Sequence, residues 1–308
     1  MSTIKTYLRK HVPQSIRGPV ENTLAAWKSR KYANPNRAQK LVGKASDEWL
    51  ERIAVTVSSP DNDLIPRVAN AGELAGGVLT MHNGIRVGGL SYCGAGMLNL
   101  MIENRGVHEP QEELAFTEVL KHIKPGGTML ELGAYWGFYS LWFAKEVDGA
   151  VCHLVEPHPA NILSGKQNFQ LNHRGGRFHR AYVGADETPA EDGTRTIAVD
   201  SFCTRHGIKQ LAMLHADIQG AEADMLHGAR RMLTNQQVDF VFVSTHSNEL
   251  HEECEAKLKR FGYLIMASAN LDETFSVDGV IVARRPGIEA PETIDISKRR
   301  PATAAAAA

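Results

Sequence analysis

The chain has 308 residues, 43% of them hydrophobic, and a formal net charge of −1. That length and composition allow one large domain or two small ones with a proper core, and the near-zero charge argues against a bulk binder of nucleic acid or another polyanion. Cys93, Cys152, Cys203 and Cys254 are far apart with no C-x-x-C, which suggests reduced thiols in a cytoplasmic protein. Neither an apolar signal core nor a run of about 18 apolar residues fit to cross a membrane is present.

Charge is uneven along the chain. Residues 1–44 hold ten Lys/Arg against one acid, Glu21, and the remainder has 24 basic and 34 acidic residues. Such a basic stretch suits a solvated face, or weak contact with a membrane surface or an anionic substrate. Residues 1–60 read as a mainly helical extension, with helices at Asn22–Lys31 and Ser46–Val55. Residues 61–110 read as loops with a small hairpin, Val78–Met81 and Ile85–Val87 around His82-Asn83-Gly84. His82 and Asn83 are candidate substrate contacts, although turn residues need no such role. A helix follows at Gln111–Ile123, introduced by His108-Glu109-Pro110, with Glu112 and Glu113 suited to its dipole. Strands and helices then alternate. Strands fall at Thr128–Leu132, Ala150–Glu156, Arg177–Val183, Arg195–Val199, Leu211–Asp217, Phe240–Thr245, Tyr263–Ala267 and Gly279–Ala283. Helices fall at Phe138–Val147, Pro159–Asn172, Ala221–Leu233 and Glu249–Phe261. This pattern predicts an α/β domain over residues 111–285. Its sheet is doubly wound and mostly parallel, with ligands at the carboxyl ends of the strands. Residues 286–308, rich in Pro, Glu, Ser, Lys and Ala, read as a disordered tail.

The centre of the pattern is Glu131-Leu132-Gly133-Ala134-Tyr135-Trp136-Gly137-Phe138-Tyr139-Ser140, a strand, a glycine turn and a helix start. Such a turn offers unpaired backbone N–H groups beside bare backbone. The G-x-x-x-G spacing has neither the third glycine of a dinucleotide fingerprint nor the Lys-Ser/Thr of a phosphate loop. It fits a nucleoside ligand without a pyrophosphate, of which S-adenosyl-L-methionine (AdoMet) is the commonest. Glu156-Pro157 ends the second strand, where a carboxylate can accept both ribose hydroxyls. Asp217 and Gln219 close the fourth main strand, where a cofactor's methionine part would meet substrate. Glu222 fits a first-turn acid. His246 ends the next strand and faces the same cleft, as a candidate base. Asp217, His246 and Asn248, or Asp217 with His215, offer O/N ligands for a divalent metal such as Mg. Trp136, Glu109 and Asp278 are candidate acceptor contacts, Asp278 lying in a polar run before the last strand.

Taken in order, the His-Glu-Pro stretch, Glu131–Leu141, Glu156-Pro157, Asn168/Asn172, Asp217-Ile218-Gln219-Gly220-Ala221-Glu222 and the strand ending in His246 resemble the FkbM-type, AdoMet-dependent methyltransferases. The likeness runs from about His82 to Ala283. It implies a class I methyltransferase (Rossmann-like) fold with a seven-stranded sheet, and O-methylation of a sugar, glycan precursor or related natural product. Departures are His215 where the family usually has Lys, Gln219 where it usually has Glu, and the bulky Tyr135-Trp136. Two rival readings stand beside it: a non-catalytic AdoMet-binding scaffold using the basic N-terminal segment, and a nicotinamide-dependent oxidoreductase.

Overall fold

A computed structural model describes residues 35–299. The expected helix at Asn22–Lys31 and most of the basic segment lie outside them. The chain runs α1 (Pro35–Gln39), α2 (Asp47–Val57), a 3₁₀ turn (Pro60–Asp63), β1 (Leu74–Ala75), β2 (Val78–Thr80), β3 (Arg86–Gly88), α3 (Gly94–Glu103) and α4 (Pro110–Leu120). The alternating part follows as β4 (Thr128–Leu132), α5 (Phe138–Glu146), β5 (Val151–Val155), α6 (Pro159–Leu171), β6 (Arg177–His179), β7 (Tyr182–Val183), β8 (Thr196–Ile197) and α7 (Val199–Arg205). It continues through β9 (Leu211–Ala216), α8 (Glu222–Gly228), α9 (Arg230–Thr234), β10 (Val238–Thr245), α10 (Asn248–Arg260), β11 (Leu264–Ala269) and β12 (Gly279–Arg284).

Seven strands form the main sheet in the order β11-β12-β10-β9-β4-β5-β6. β12 pairs antiparallel with both β10 and β11, and the remaining pairs are parallel. Apolar side chains alternate across it. Met129, Phe240 and Phe242 join one core with α3, α4 and α5, while Leu130, Leu132, Val241 and Val243 join another with α7, α8 and α10. A sheet buried on both faces explains the near-continuous apolar runs of β9 and β10. The strand order reverses between β4 and β9, so the switch point lies at Leu132 and Ala216, where such folds bind ligands.

The two backbones nearly touch there. Asp217 N–H donates to Leu132 O at 3.0 Å. A Cβ on Gly133, whose φ is +77°, would lie 1.7 Å from the Asp217 carbonyl oxygen. Only glycine satisfies both the left-handed turn and that approach.

The expected hairpin is present with an added strand, β1, and is fastened to α6 by two asparagines one turn apart. Asn172 Oδ1 accepts Arg86 N–H at 2.9 Å, and its Nδ2 donates to Arg86 O at 2.6 Å. Asn168 Oδ1 accepts Gly88 N–H at 3.0 Å, and its Nδ2 donates to Trp136 O at 3.0 Å. The side chains act as a surrogate neighbouring strand and tie the hairpin to the glycine turn.

Several expectations change. Helix α3 was not foreseen; it opens on Gly-Ala-Gly, and Trp49 of α2 occupies the space a Cβ on Gly96 would need. The strand expected at Arg177–Val183 divides: β6 stays in the main sheet and β7 pairs with β8. The helix expected at Ala221–Leu233 divides at Ala229. Of the expected tail, residues 286–299 are packed on the domain. Ile294 and Ile296 are buried, Ile294 N–H donates to Met266 O at 2.8 Å, and Ser297 donates through N–H and Oγ to Asp61. Spaced isoleucines and a buried acceptor supply what the polar composition concealed.

Gly133→Ala is expected to lose roughly 3 kcal/mol or more of stability, read as a lowered melting temperature. Melting together with the wild type would show that the crossing relaxes freely.

Candidate active site

The glycine turn folds back on the end of β5. Gly133 and Ala134 N–H both donate to Val155 O, at 2.9 and 3.0 Å. Tyr135, held at φ 40°, donates its N–H to Glu156 Oε2 at 3.1 Å. Glu156 Oε1 accepts His158 N–H at 2.8 Å and Asn161 Nδ2 at 3.2 Å. The turn's first three N–H groups are therefore engaged internally, a correction to the expectation that they stand open. What the turn presents is the Glu156 carboxylate, 4% exposed, with its pKa raised by burial despite these donors. Glu131, directly before the turn, accepts Ser140 N–H at 3.1 Å. Burial pushes Glu131 up to about 7.

The hollow beside the turn is lined by Gly133–Trp136, Glu109, Glu131, Tyr139, His215 and Asp217, with Tyr92 and Ser244 at its sides. Its walls are aromatic: Tyr92 stacks on Trp136 at 4.8 Å, and Trp136 on Phe138 at 5.2 Å. Phe138 and Ser140, expected at the cofactor, face away from the hollow. Phe138 is fully buried among His108, Tyr139 and Trp142. Ser140 lies beneath the turn, fully buried and beside Glu131. Pro157 is not among the residues lining the hollow, and its carbonyl accepts Arg180 Nε at 3.2 Å.

His215 is buried and sits 2.6 Å from Glu112 Oε1 through Nε2. Glu112 Oε2 accepts Ser244 Oγ at 2.9 Å. Burial disfavours the charged imidazole, but Glu112 outweighs it and raises the pKa of His215.

His246 occupies a second corner, at the ends of β9, β10 and β12. Its Nε2 lies 3.2 Å from Asp217 Oδ1, 3.4 Å from Asp278 Oδ1 and 2.7 Å from the Gln219 amide, while Nδ1 lies 3.0 Å from Glu222 Oε1. Glu222 is fully buried and accepts Ile218 and Gly220 N–H. Burial alone would lower the His246 pKa. Asp217, Glu222 and Asp278 outweigh it and push it up to about 10. These carboxylates favour the protonated imidazole, which weighs against His246 as the group that takes the acceptor's proton. Burial and the nearby Asp217 raise Asp278 to about 6.

Metal-ligating atoms of Asp217, Glu222 and His246 lie within 4.8 Å of one another. Asn248 is not among them. Its amide holds the next loop, donating to Asp272 Oδ2 at 2.9 Å and accepting Leu271 N–H at 3.0 Å. His82 and Asn83 are also corrected. His82 is 1% exposed, 3.0 Å from Glu113 Oε2 and 3.1 Å from Pro66 O. Asn83 Oδ1 accepts Ile85 N–H at 3.1 Å and shapes the turn. Glu112, Glu113 and Glu222 were legible only as first-turn acids, and Tyr92 and Ser244 carried no signal. A larger hollow, lined by Arg86, Asn168 and His173, lies between the hairpin and α6, away from the strand-end site.

The sheet order, with its antiparallel last strand, and the hollow at its switch point define a doubly wound α/β fold with its candidate site at the strand ends. Residues 175–265 match the family model described as the methyltransferase FkbM domain, which bears out the family resemblance seen in the sequence. No curated protein sequence matches the chain significantly. Similar solved structures include a precorrin-6y C5,15-methyltransferase from Geobacter metallireducens, with 10% identity, 57% of this chain and 88% of that one covered, and a TM-score of 0.38. Aeropyrum pernix fibrillarin in complex with S-adenosyl-L-methionine gives 18% identity, coverage of 56% and 74%, and a TM-score of 0.39. A ribosomal protein L11 methylase from Lactobacillus delbrueckii subsp. bulgaricus gives 12%, 57% and 79%, and 0.39. Among the described residues, no helix is long and apolar enough to cross a membrane.

The raised imidazole gives a pH prediction. A folded-state pKa of about 10 for His246, against 6.5 in the unfolded chain, contributes stability that is fully present below pH 6.5 and is lost as pH rises toward 10. In EDTA, the wild-type melting temperature should fall across that window, and His246→Asn should fall less steeply. Parallel curves would show that His246 carries no such proton.

Proposed function

We propose that the protein is an AdoMet-dependent O-methyltransferase acting on a hydroxyl of a sugar, glycan precursor or related natural product. The observation that carries the cofactor part is the charge of the hollow. Glu131, Glu156 and Asp217 surround the turn, and among the described residues histidines are the only cationic side chains on its walls. A pyrophosphate would be repelled there. A sulfonium and an ammonium are attracted, and ribose hydroxyls find an acceptor in Glu156. This weighs against the nicotinamide reading as much as the missing third glycine does. Gly133, Ala134 and Tyr135 would form the floor, Glu156 would hold the ribose, and Asp217 would flank the methionine end.

Acceptor chemistry follows from the His246 corner. It shares Asp217 with the hollow and is polar, as a hydroxylated substrate requires. His246, as an imidazolium fixed by Glu222, would donate to an acceptor oxygen. A second reading of the same corner is a divalent cation such as Mg. It is supported by crowding: Asp217 Oδ1, Asp278 Oδ1, the Gln219 amide and His246 Nε2 lie within contacts of 2.7–3.4 Å. One Nε2 proton cannot serve both carboxylates, and the Gln219 amide nitrogen beside it is itself a donor, whereas carboxylate and imidazole ligands about 3 Å apart can share one ion. Glu222 would then orient the imidazole through Nδ1. The basic N-terminal segment would serve a partner or an anionic acceptor, and the setting would be cytoplasmic.

Glu156→Ala should weaken AdoMet binding roughly 30-fold, about 2 kcal/mol for charge-assisted bonds to two hydroxyls, by calorimetry. Undiminished binding would remove Glu156 from the cofactor site. Transfer of a labelled methyl group to a cell-extract polysaccharide fraction tests the reaction. If the cation reading holds, EDTA abolishes transfer and Mg restores it; equal rates with and without EDTA leave the imidazolium reading.

A further inference from the structure

We infer that Glu109 is the general base of the transfer, aimed into the hollow by Tyr139 and by a buried His108–Glu113–His82 chain. This rests on the O-methyltransferase reading above and names the group that completes it.

Glu109 stands at the N-cap of α4, yet its side chain makes no cap bond. That work is done by Glu113, whose Oε1 accepts the N–H groups of His108 and Glu109 at 2.7 and 2.9 Å. Glu109 is thereby released to line the hollow with Gly133, Tyr135 and Asp217. Its Oε2 accepts Tyr139 OH at 2.7 Å and lies 3.4 Å from His108 Nε2. His108 is held from behind, with Nδ1 2.6 Å from Glu113 Oε1, and Glu113 Oε2 is 3.0 Å from His82 Nε2. One oxygen of Glu109 is therefore fixed by two donors. Among the described residues no hydrogen bond engages the other, and it is left to meet a ligand.

The charges facing Glu109 come from four elements. His108, Glu112 and Glu113 lie on its own side, Tyr139 on α5, Asp217 after β9 and Asp278 before β12; Tyr92 closes the wall. Burial raises Glu109 to about 7, His108 opposes the rise, and Glu112, Asp217 and Asp278 add to it. A carboxylate poised near neutrality is ionised enough to accept a proton and basic enough to want one. His108, driven up to about 9 against its burial by Glu109 and Glu113, stays cationic and keeps Glu109 from rising further.

The step balances. A lone pair of the acceptor oxygen forms the new O–CH₃ bond, and the S–CH₃ bond breaks with its electrons going to sulfur. The hydroxyl proton passes to Glu109. The products are a methyl ether, neutral S-adenosylhomocysteine and a protonated carboxyl, which then loses its proton to water.

The test uses full-length protein, labelled AdoMet and a cell-extract polysaccharide fraction as acceptor. Glu109→Gln should slow transfer 10²- to 10⁴-fold, the usual range for a lost general base, with AdoMet affinity within about threefold by calorimetry. The wild-type rate should rise with pH to a plateau above about 7. Tyr139→Phe, which removes a donor to the carboxylate, should move that limb to higher pH while keeping the plateau. Loss of AdoMet binding in Glu109→Gln would make Glu109 a cofactor ligand and overturn the assignment. So would an unslowed Glu109→Gln, or an unmoved limb in Tyr139→Phe. A wild type that binds AdoMet but methylates nothing would bring down the transfer reading itself, and this assignment with it.

Discussion

The approach of Gly133 to the carbonyl of Asp217 sets the distances on which every other feature of the site depends. Two parallel strands end side by side at the switch point, and one of them must turn away without a side chain in the gap. That turn brings Tyr135 N–H to Glu156 on the far neighbour of β4, and leaves Asp217 beside it on the near one. Three strand ends are thus locked by backbone geometry before any ligand arrives. Preorganisation of this kind avoids reorganisation when charge moves in the reaction. The asparagine staple from α6 extends the lock outward, since Asn168 holds both the hairpin and the Trp136 carbonyl.

Around this frame the protein gathers more acid than its near-neutral overall charge suggests. Glu109, Glu112, Glu113, Glu131, Glu156 and Glu222 are all buried. Each stands against a histidine, a hydroxyl or backbone N–H groups. A buried charge without partners costs too much to persist, so the second layer of His82, His108, His215 and Tyr139 is the condition for the first. It also sorts the acids by role: Glu113, held by two histidines and two N–H groups, stays well below the usual carboxylate range, whereas Glu109 and Glu131 sit near 7. Residues of one type, a turn or two apart, are thereby made structural or reactive.

Local features were legible in the sequence. Thr128–Leu132 was found to the residue because glycines bound an apolar run, and Glu156 was placed because a fixed distance separates the turn from the next strand end. The class of fold followed from alternation alone. Pairings set by the tertiary fold were hidden. His215 and Glu112 are 103 residues apart and meet only because β9 lies under α4. Asp278 reaches His246 only because β12 inserts antiparallel beside β10. Asn248 looked like a ligand because it follows His246 by two, but α10 begins there and turns it toward Asp272. Helix α3 was missed because glycines at its start, and apolar residues on every face, erase the amphipathic period.

On the methyl-transfer reading, these acids divide between affinity and rate by where positive charge lies. The cofactor enters as a cation with charge on sulfur. As the methyl group moves, positive charge leaves sulfur and appears on the acceptor oxygen, until that oxygen gives up its proton. A carboxylate that touches only the ribose, as Glu156 would, meets the same hydroxyls throughout and contributes equally to ground and transition states, which tightens binding without speeding the step. A carboxylate on the acceptor's side gains interaction as the reaction proceeds, and so lowers the barrier. The same shift assists turnover. Once sulfur is neutral, a hollow walled by Glu131 and Asp217 holds the product less strongly than the cofactor, so the anionic lining favours exchange of one for the other.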